Sequence, residues 1–180
     1  MLQVDLDFIT DMAKWLYKGG PVLDVGASTI EFRKREKFPY DLKPLFDRGA
    51  YYTFDVKDGN GVDYVGDAHK MAENFQWFGR WSFIICTNLL EHVRRPWVVA
   101  EQIYKIMKPG GIVVATVPWE YPPHPDPVDM WRMSEGALQS LFNPYFIMQA
   151  TGSKFVPMPL VSYEISVYAG MRREKAVYDG

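Results

Sequence analysis

Apolar residues Leu6, Ile9, Met12, Ala13, Leu16 and Tyr17 recur three and four positions apart, a single stripe that predicts a helix from Leu6 to Tyr17. Gly19-Gly20-Pro21 stops it. The pattern then shortens. Val22 to Ala27 is an apolar run ending in a turn, and Tyr51 to Val56 is rich in residues that favour extended backbone, so these two read as the first parallel strands. The connection between them holds Phe32 to Tyr40 and is broken by Pro39 and Pro44, which predicts an irregular first helix or a loop over the site. Asp58-Gly59-Asn60-Gly61 is a turn, and Val62 to Asp67 reads as a third strand whose end brings Asp67, Ala68 and His69 to one edge.

Trp81 to Thr87 has the uninterrupted apolar character of a strand buried on both faces. Arg95 to Lys108 reads as a crossover helix, opened by Pro96 and turning Val99, Ile103 and Met107 inward, with Pro109-Gly110-Gly111 ending it. Ile112 to Val117 is a fifth strand, and Pro118 to Met130, with five prolines and no periodicity, is a loop. Ser134 caps a short helix through Phe142, and the stretches Tyr145 to Phe155 and Leu160 to Met171 form a closing antiparallel pair. Strands alternating with helices, then two adjacent strands, predict an α/β fold: a doubly wound, mostly parallel seven-stranded sheet with an antiparallel C-terminal edge.

Composition narrows the class. At 180 residues, 48% of them hydrophobic and 16% aromatic, the chain reads as one domain spanning 1–180 with ample core material. No apolar run approaches the roughly eighteen residues of a membrane span, and the first ten residues lack a basic start and apolar centre, so a soluble, cytoplasmic protein is expected. A net charge of −2 gives no general attraction to nucleic acid. The two basic clusters, Arg33-Lys34-Arg35 with Lys37 and Arg172-Arg173 with Lys175, read as solvated surface. Cys86, the single cysteine, lies in the run Phe83-Ile84-Ile85-Cys86 and reads as a small buried hydrophobe.

In an open α/β sheet, ligands bind beyond the carboxyl ends of the strands where strand order reverses. Gly26, in the first strand-to-helix turn, lacks a Cβ and lets the main chain approach a nucleotide. Asp24, within the same strand, is placed to bind a cationic amine or to brace the turn. Asp55 closes the second strand, where a carboxylate accepts both hydroxyls of an adenosine ribose, a geometry shared with NAD-binding proteins. NAD is disfavoured, because Gly26-Ala27-Ser28-Thr29-Ile30-Glu31 lacks the further glycines that let a pyrophosphate lie on a helix N-terminus.

Asp24-Val25-Gly26, Asp55, Val62 to His69, Leu90-Glu91-His92-Val93 and Lys108-Pro109-Gly110-Gly111, in this order, resemble the class I S-adenosylmethionine-dependent methyltransferases. The likeness runs from Val22 to Phe142. It implies a Rossmann-like methyltransferase fold and S-adenosylmethionine as cofactor. It also implies that Asp24, Gly26 and Ala27 face the methionyl part, that Asp55 takes the ribose hydroxyls and that Asp67 with the Ala68 amide takes the adenine edge. Asn88 would lie beneath the sulfonium. Ser28 stands where family members usually have glycine, which implies a tighter cofactor loop or weaker binding.

Methyltransferases of base amines commonly carry Asn/Asp-Pro-Pro-aromatic after the fourth strand, whereas this chain has Asn88-Leu89-Leu90-Glu91; a small-molecule acceptor is expected and nucleic acid is not. The ending Asp129-Met130-Trp131-Arg132 is similar to a subgroup of bacterial members often found with surface-polysaccharide genes, whose substrates are mostly unassigned; a small molecule or glycan precursor methylated at oxygen is expected. A hydroxyl acceptor needs a base, and His124 is the candidate, its other reading being a hydrogen bond that orders the loop. Asp129 and Arg132 read as an ion pair bracing the loop, and His92, Trp119, Tyr121 and Trp131 as the acceptor wall, the aromatics either stacking on a ring or forming an apolar lid. No close ligand spacing points to a metal site. A monomer or homodimer is expected, and the competing class is a non-catalytic cofactor-binding or partner-binding domain that keeps the fold.

Overall fold

A computed structural model describes residues 3–28, 41–46, 49–124, 128–156 and 163–177. Helix α1 (Gln3–Leu16) begins earlier than its apolar stripe suggests and buries Asp5 together with Phe8, Ile9 and Ala13. After it Gly19 and Gly20 take φ of 106° and 97°, which turns the chain into β1 (Val22–Val25). The connection expected over Phe32 to Tyr40, and with it the Arg33-Lys34-Arg35-Lys37 cluster, lies outside the described residues.

Strands β2 (Tyr51–Asp55), β3 (Tyr64–Val65) and β4 (Trp81–Thr87) follow, then helix α2 (Pro96–Ile106), β5 (Met107–Glu120), helix α3 (Glu135–Phe142), β6 (Phe146–Val156) and β7 (Tyr163–Arg172). The seven strands form one sheet in the order β3-β2-β1-β4-β5-β7-β6, and β7 runs antiparallel to both its neighbours. This is the expected doubly wound sheet with an antiparallel C-terminal edge. Period-two alternation splits its core into two layers. Leu23, Val25, Ile84, Cys86, Val113 and Ala115 pack towards α2 and α3, while Val22, Phe83, Ile85, Ile112 and Val114 pack towards α1. Every residue of β4 is buried, as a central parallel strand requires.

Three elements differ from their patterns. Strand β3 is only two residues long; beside it Asp63 donates its amide to the Thr53 carbonyl at 3.2 Å, and its carboxylate accepts from the Thr53 amide and hydroxyl at 2.9 and 3.0 Å. Strand β5 starts at Met107, paired with Trp81, and resumes pairing at Ile112, so Lys108-Pro109-Gly110-Gly111 bulges from a continuous strand. It also runs past Val117, since Pro118 and Glu120 pair with Ile165 and Glu164 of β7.

The C-terminal basic cluster is not simply solvated. Arg172 lies 4.3 Å from the Tyr104 ring centroid and donates to the Tyr104 carbonyl at 2.8 Å, and Arg173 donates to the Asn143 and Phe146 carbonyls at 3.3 and 3.2 Å. Both guanidiniums tie the last strand to the helical layer. No helix among the described residues is long and apolar enough to cross a membrane.

Candidate active site

Strand order reverses between β1 and β4, and the carboxyl ends of strands at such a reversal are where open α/β sheets bind ligands. The β1 turn is tightly tied. Gly26 and Ala27 both donate to the Phe54 carbonyl, at 2.8 and 3.2 Å. Gly26 has φ of 80°, and a Cβ on it would meet the Leu89 side chain at 3.1 Å. Left-handed backbone and the closeness of Leu89 both favour glycine at this position, beside the ligand approach expected of it. Ser28 is also left-handed, with φ of 61°, and its amide donates to Asp55 Oδ2 at 2.9 Å.

Asp55 is buried at the end of β2, and its Oδ1 accepts from the Lys57 amide at 2.8 Å. A carboxylate has about four lone-pair sites, so two amide donors leave capacity for hydroxyls of a ligand. Asp24, buried in β1, accepts from the Tyr51 hydroxyl at 2.6 Å, which supports its bracing role. Asp67 caps the 3-10 turn Ala68–Glu73, and its Oδ1 accepts from His69 N at 2.9 Å and Nδ1 at 2.7 Å. His69 Nε2 in turn accepts from the Arg95 amide at 3.3 Å, which assigns the ring proton to Nδ1. Ala68 is buried beside them.

Asn88 follows β4 with φ of 48°, a conformation asparagine tolerates better than most residues. Its amide donates to the Thr116 carbonyl at 3.0 Å, and its Nδ2 donates to Asp5 Oδ2 at 3.0 Å, linking α1 to the end of β4. The next turn, Leu90–His92, carries Glu91 with no solvent exposure, and neither of its oxygens has a hydrogen-bond partner among the described residues. Burial, with the Asp5 and Asp129 carboxylates adding, pushes the Glu91 carboxyl up to about 8. Burial also pulls His92 below its ordinary value.

The loop after β5 closes over this turn. Met130 and Trp131 donate their amides to the Glu91 carbonyl at 2.7 and 3.2 Å, and Met133 donates to the Pro118 carbonyl at 3.1 Å. Asp129 and Arg132 form a two-point fork at 2.5 and 2.6 Å. Arg132 also donates to the Tyr121, Pro122 and Trp131 carbonyls. The guanidinium holds the Asp129 carboxyl down at about 2. Asp129 Oδ2 accepts from the His124 amide at 3.0 Å and lies 3.0 Å from His124 Nδ1. His124 Nε2 then stands 3.2 Å from His92 Nε2.

A methyltransferase-domain family model matches residues 4–150. The chain belongs to this methyltransferase family. Its S-adenosylmethionine-dependent class I fold is shared by YcgJ from Bacillus subtilis, 12% identical with a TM-score of 0.70 over 96% of this chain and 100% of that one. It is also shared by the Burkholderia thailandensis 1,6-didemethyltoxoflavin-N1-methyltransferase, solved with 1,6-didemethyltoxoflavin and S-adenosylhomocysteine, 14% identical with a TM-score of 0.65 over 95% and 88%. The Haemonchus contortus phosphoethanolamine N-methyltransferase 2 is 11% identical with a TM-score of 0.62 over 96% of this chain and 53% of its own. No curated protein matches the sequence.

In this methyltransferase the expected cofactor residues Asp24, Gly26, Ala27, Asp55, Asp67, Ala68 and Asn88 all lie at or just past the carboxyl ends of β1 to β4. The expected acceptor wall is more divided. His92 and His124 meet, and Tyr121 presents an edge to His124 with centroids 5.5 Å apart. Trp119 is exposed at the end of β5. Trp131 donates its indole N–H to the Val93 carbonyl at 2.8 Å and packs edge-on against Trp97, so it pins the loop. Asp5 and Glu91 carry the strongest burial of charge at the site, and neither stands out by residue type. Asp5 lies four positions before Ile9 on the apolar stripe of α1, which is the signal that marks it as inward-facing.

Proposed function

We propose that this methyltransferase, acting as one cytoplasmic domain, transfers the methyl group of S-adenosylmethionine to a hydroxyl oxygen of a small molecule or glycan precursor. In this reading Asp55 receives the two ribose hydroxyls, and Asp24, Gly26 and Ala27 face the methionyl part. Asp67 and the Ala68 amide take the adenine edge, and Asn88 lies beneath the sulfonium. The acceptor sits among His92, Trp119, Tyr121 and Trp131.

The observation that carries the reading is the Asp129–His124 pair. Both the Asp129 carboxylate and the Pro122 carbonyl lie within reach of His124 Nδ1, at 3.0 and 3.4 Å, and neither can donate, so Nδ1 holds the proton and Nε2 is the basic atom. His124 Nε2 takes the hydroxyl proton while an oxygen lone pair forms the new O–C bond. The C–S bond breaks with its electron pair remaining on sulfur, giving S-adenosylhomocysteine. The cofactor already carries the reactive charge, so the protein chiefly aligns donor and acceptor and supplies this base.

The test is turnover of His124→Ala against a panel of nucleotide-sugars and small phenols, read as S-adenosylhomocysteine release. The reading expects turnover to fall by about 100- to 10,000-fold with cofactor affinity nearly unchanged. Wild-type turnover at saturating acceptor would remove His124 as the base.

A further inference from the structure

The approach of two imidazoles beside a buried carboxylate has a chemistry of its own. His92 Nδ1 lies 3.1 Å from the Val128 carbonyl, which can only accept, so in the neutral ring Nδ1 carries the proton and Nε2 is a bare lone pair. The same argument fixes His124, whose Nδ1 faces Asp129 and the Pro122 carbonyl. Two bare Nε2 atoms thus face each other at 3.2 Å, an arrangement that repels unless something positive stands between them. Glu91 Oε1 lies 3.7 Å from His92 Nε2, and the ligand atoms of Glu91, His92 and His124 all fall within 4.8 Å of one another.

We propose that Glu91, His92 and His124 form a binding site for a divalent transition-metal ion. Imidazole and carboxylate ligands at about 2.0–2.2 Å in tetrahedral array stand roughly 3.3–3.5 Å apart; the two separations from His92, 3.2 and 3.7 Å, bracket that value, and the third pair, Glu91 to His124, lies within 4.8 Å. The surroundings match what metal-bound histidines need. Each ring donates its other N–H to a fixed acceptor, one a backbone carbonyl and the other a carboxylate that is itself held by Arg132. Glu91 supplies the independent observation, a fully buried carboxylate with neither oxygen hydrogen-bonded among the described residues, beside the paired rings. A cation there would compensate a charge that burial otherwise makes costly.

Two imidazoles and one carboxylate suit zinc, iron(II) or cobalt(II) better than magnesium or calcium, which prefer all-oxygen sites. Three protein ligands leave a coordination position open, as in catalytic rather than structural sites. His92 and His124 are 32 positions apart in sequence, so the fold and not any ligand spacing creates the site. The inference shares His124 with the proposed acceptor site but does not depend on methyl transfer. With an ion bound, His124 is a ligand and not a base, and the open position takes the acceptor oxygen; the role of base belongs to the metal-free protein, where His124 Nε2 keeps its lone pair.

The test is a titration of the full chain, stripped with chelator, first with Co2+ followed by visible absorption and then with Zn2+ in a calorimeter, without methyl donor. The expected result is one ion per chain, cobalt bands of a four- or five-coordinate nitrogen–oxygen site displaced by Zn2+, and Zn2+ affinity more than about 100-fold weaker in both His92→Ala and His124→Ala. Glu91→Gln, which keeps the shape of the side chain, should also weaken Zn2+ binding. Retained S-adenosylhomocysteine binding in each variant shows that the fold persists. Absence of stoichiometric binding at 100-fold excess of either ion over protein, or binding indifferent to all three substitutions, would overturn the site. S-adenosylhomocysteine binding and methyl transfer in the metal-free protein would remain to support the methyltransferase reading separately.

Discussion

Ser28 carries a side chain at a backbone conformation, φ of 61°, that costs an L-residue about 1–2 kcal/mol and glycine nothing. Glycine returns roughly 0.4–1 kcal/mol to the unfolded chain through its extra freedom. Ser28→Gly should therefore leave the protein equally stable or raise its stability by up to about 1.5 kcal/mol, without weakening S-adenosylhomocysteine binding. A clear fall in the thermal midpoint would show that the serine side chain holds something the backbone alone does not. Cys86 tests the environment of β4. Burial, reinforced by Glu91 and Asp24, drives its thiol far above the ordinary range, so at pH 8 the folded protein should resist iodoacetamide while the urea-unfolded chain reacts, as mass spectrometry would read. That cysteine was legible from its apolar run. The requirement for Gly26 was legible only as a turn, because Leu89 reaches it from a segment more than sixty positions later in the sequence.

Among the elements, the loop after β5 takes many of its ties from one side chain. Arg132 gathers the Asp129 carboxylate and the carbonyls of Tyr121, Pro122 and Trp131, so it fastens both limbs of the loop. Replacing it with alanine removes the charged fork and strands those acceptors. A local loss of about 1.5–3 kcal/mol is expected, read as roughly 10- to 150-fold faster amide exchange at Met130, Trp131 and Met133, with protection in β4 unchanged. Equal loss of protection throughout would mean that the loop is part of the global unfolding unit. The ion pair itself is visible in the spacing Asp129 to Arg132, yet the meeting of His124 with His92 is not. It arises because Met130 and Trp131 hang from the Glu91 carbonyl, a main-chain contact without a side-chain signature. Strand β3 is shorter than its pattern for a related reason, since Asp63 turns its carboxylate onto the Thr53 amide and hydroxyl, contacts that no apolar pattern marks.

At the scale of the molecule, apolar patterning carried most of the architecture: the fully buried β4, the amphipathic α1 and α2, and the adjacent terminal strands leave few arrangements besides a doubly wound sheet. The centre of that sheet is where truncation should cost most. Ile84, fully buried in β4, should lose about 2–5 kcal/mol on replacement by alanine, visible as a lower urea midpoint at unchanged slope. Topology then puts Asp24, Gly26, Asp55 and Asn88 at one sheet end without any local signal that they are neighbours, because β1 pairs with β2 on one side and β4 on the other. At this sheet end we propose that S-adenosylmethionine binds with Asp55 as the acceptor of its ribose hydroxyls. The most direct test is calorimetric titration of the wild type and Asp55→Ala with S-adenosylhomocysteine. A single micromolar site is expected in the wild type, weakened by roughly 10- to 150-fold when the carboxylate is removed. No heat at millimolar ligand, or equal affinity in the two proteins, would contradict it.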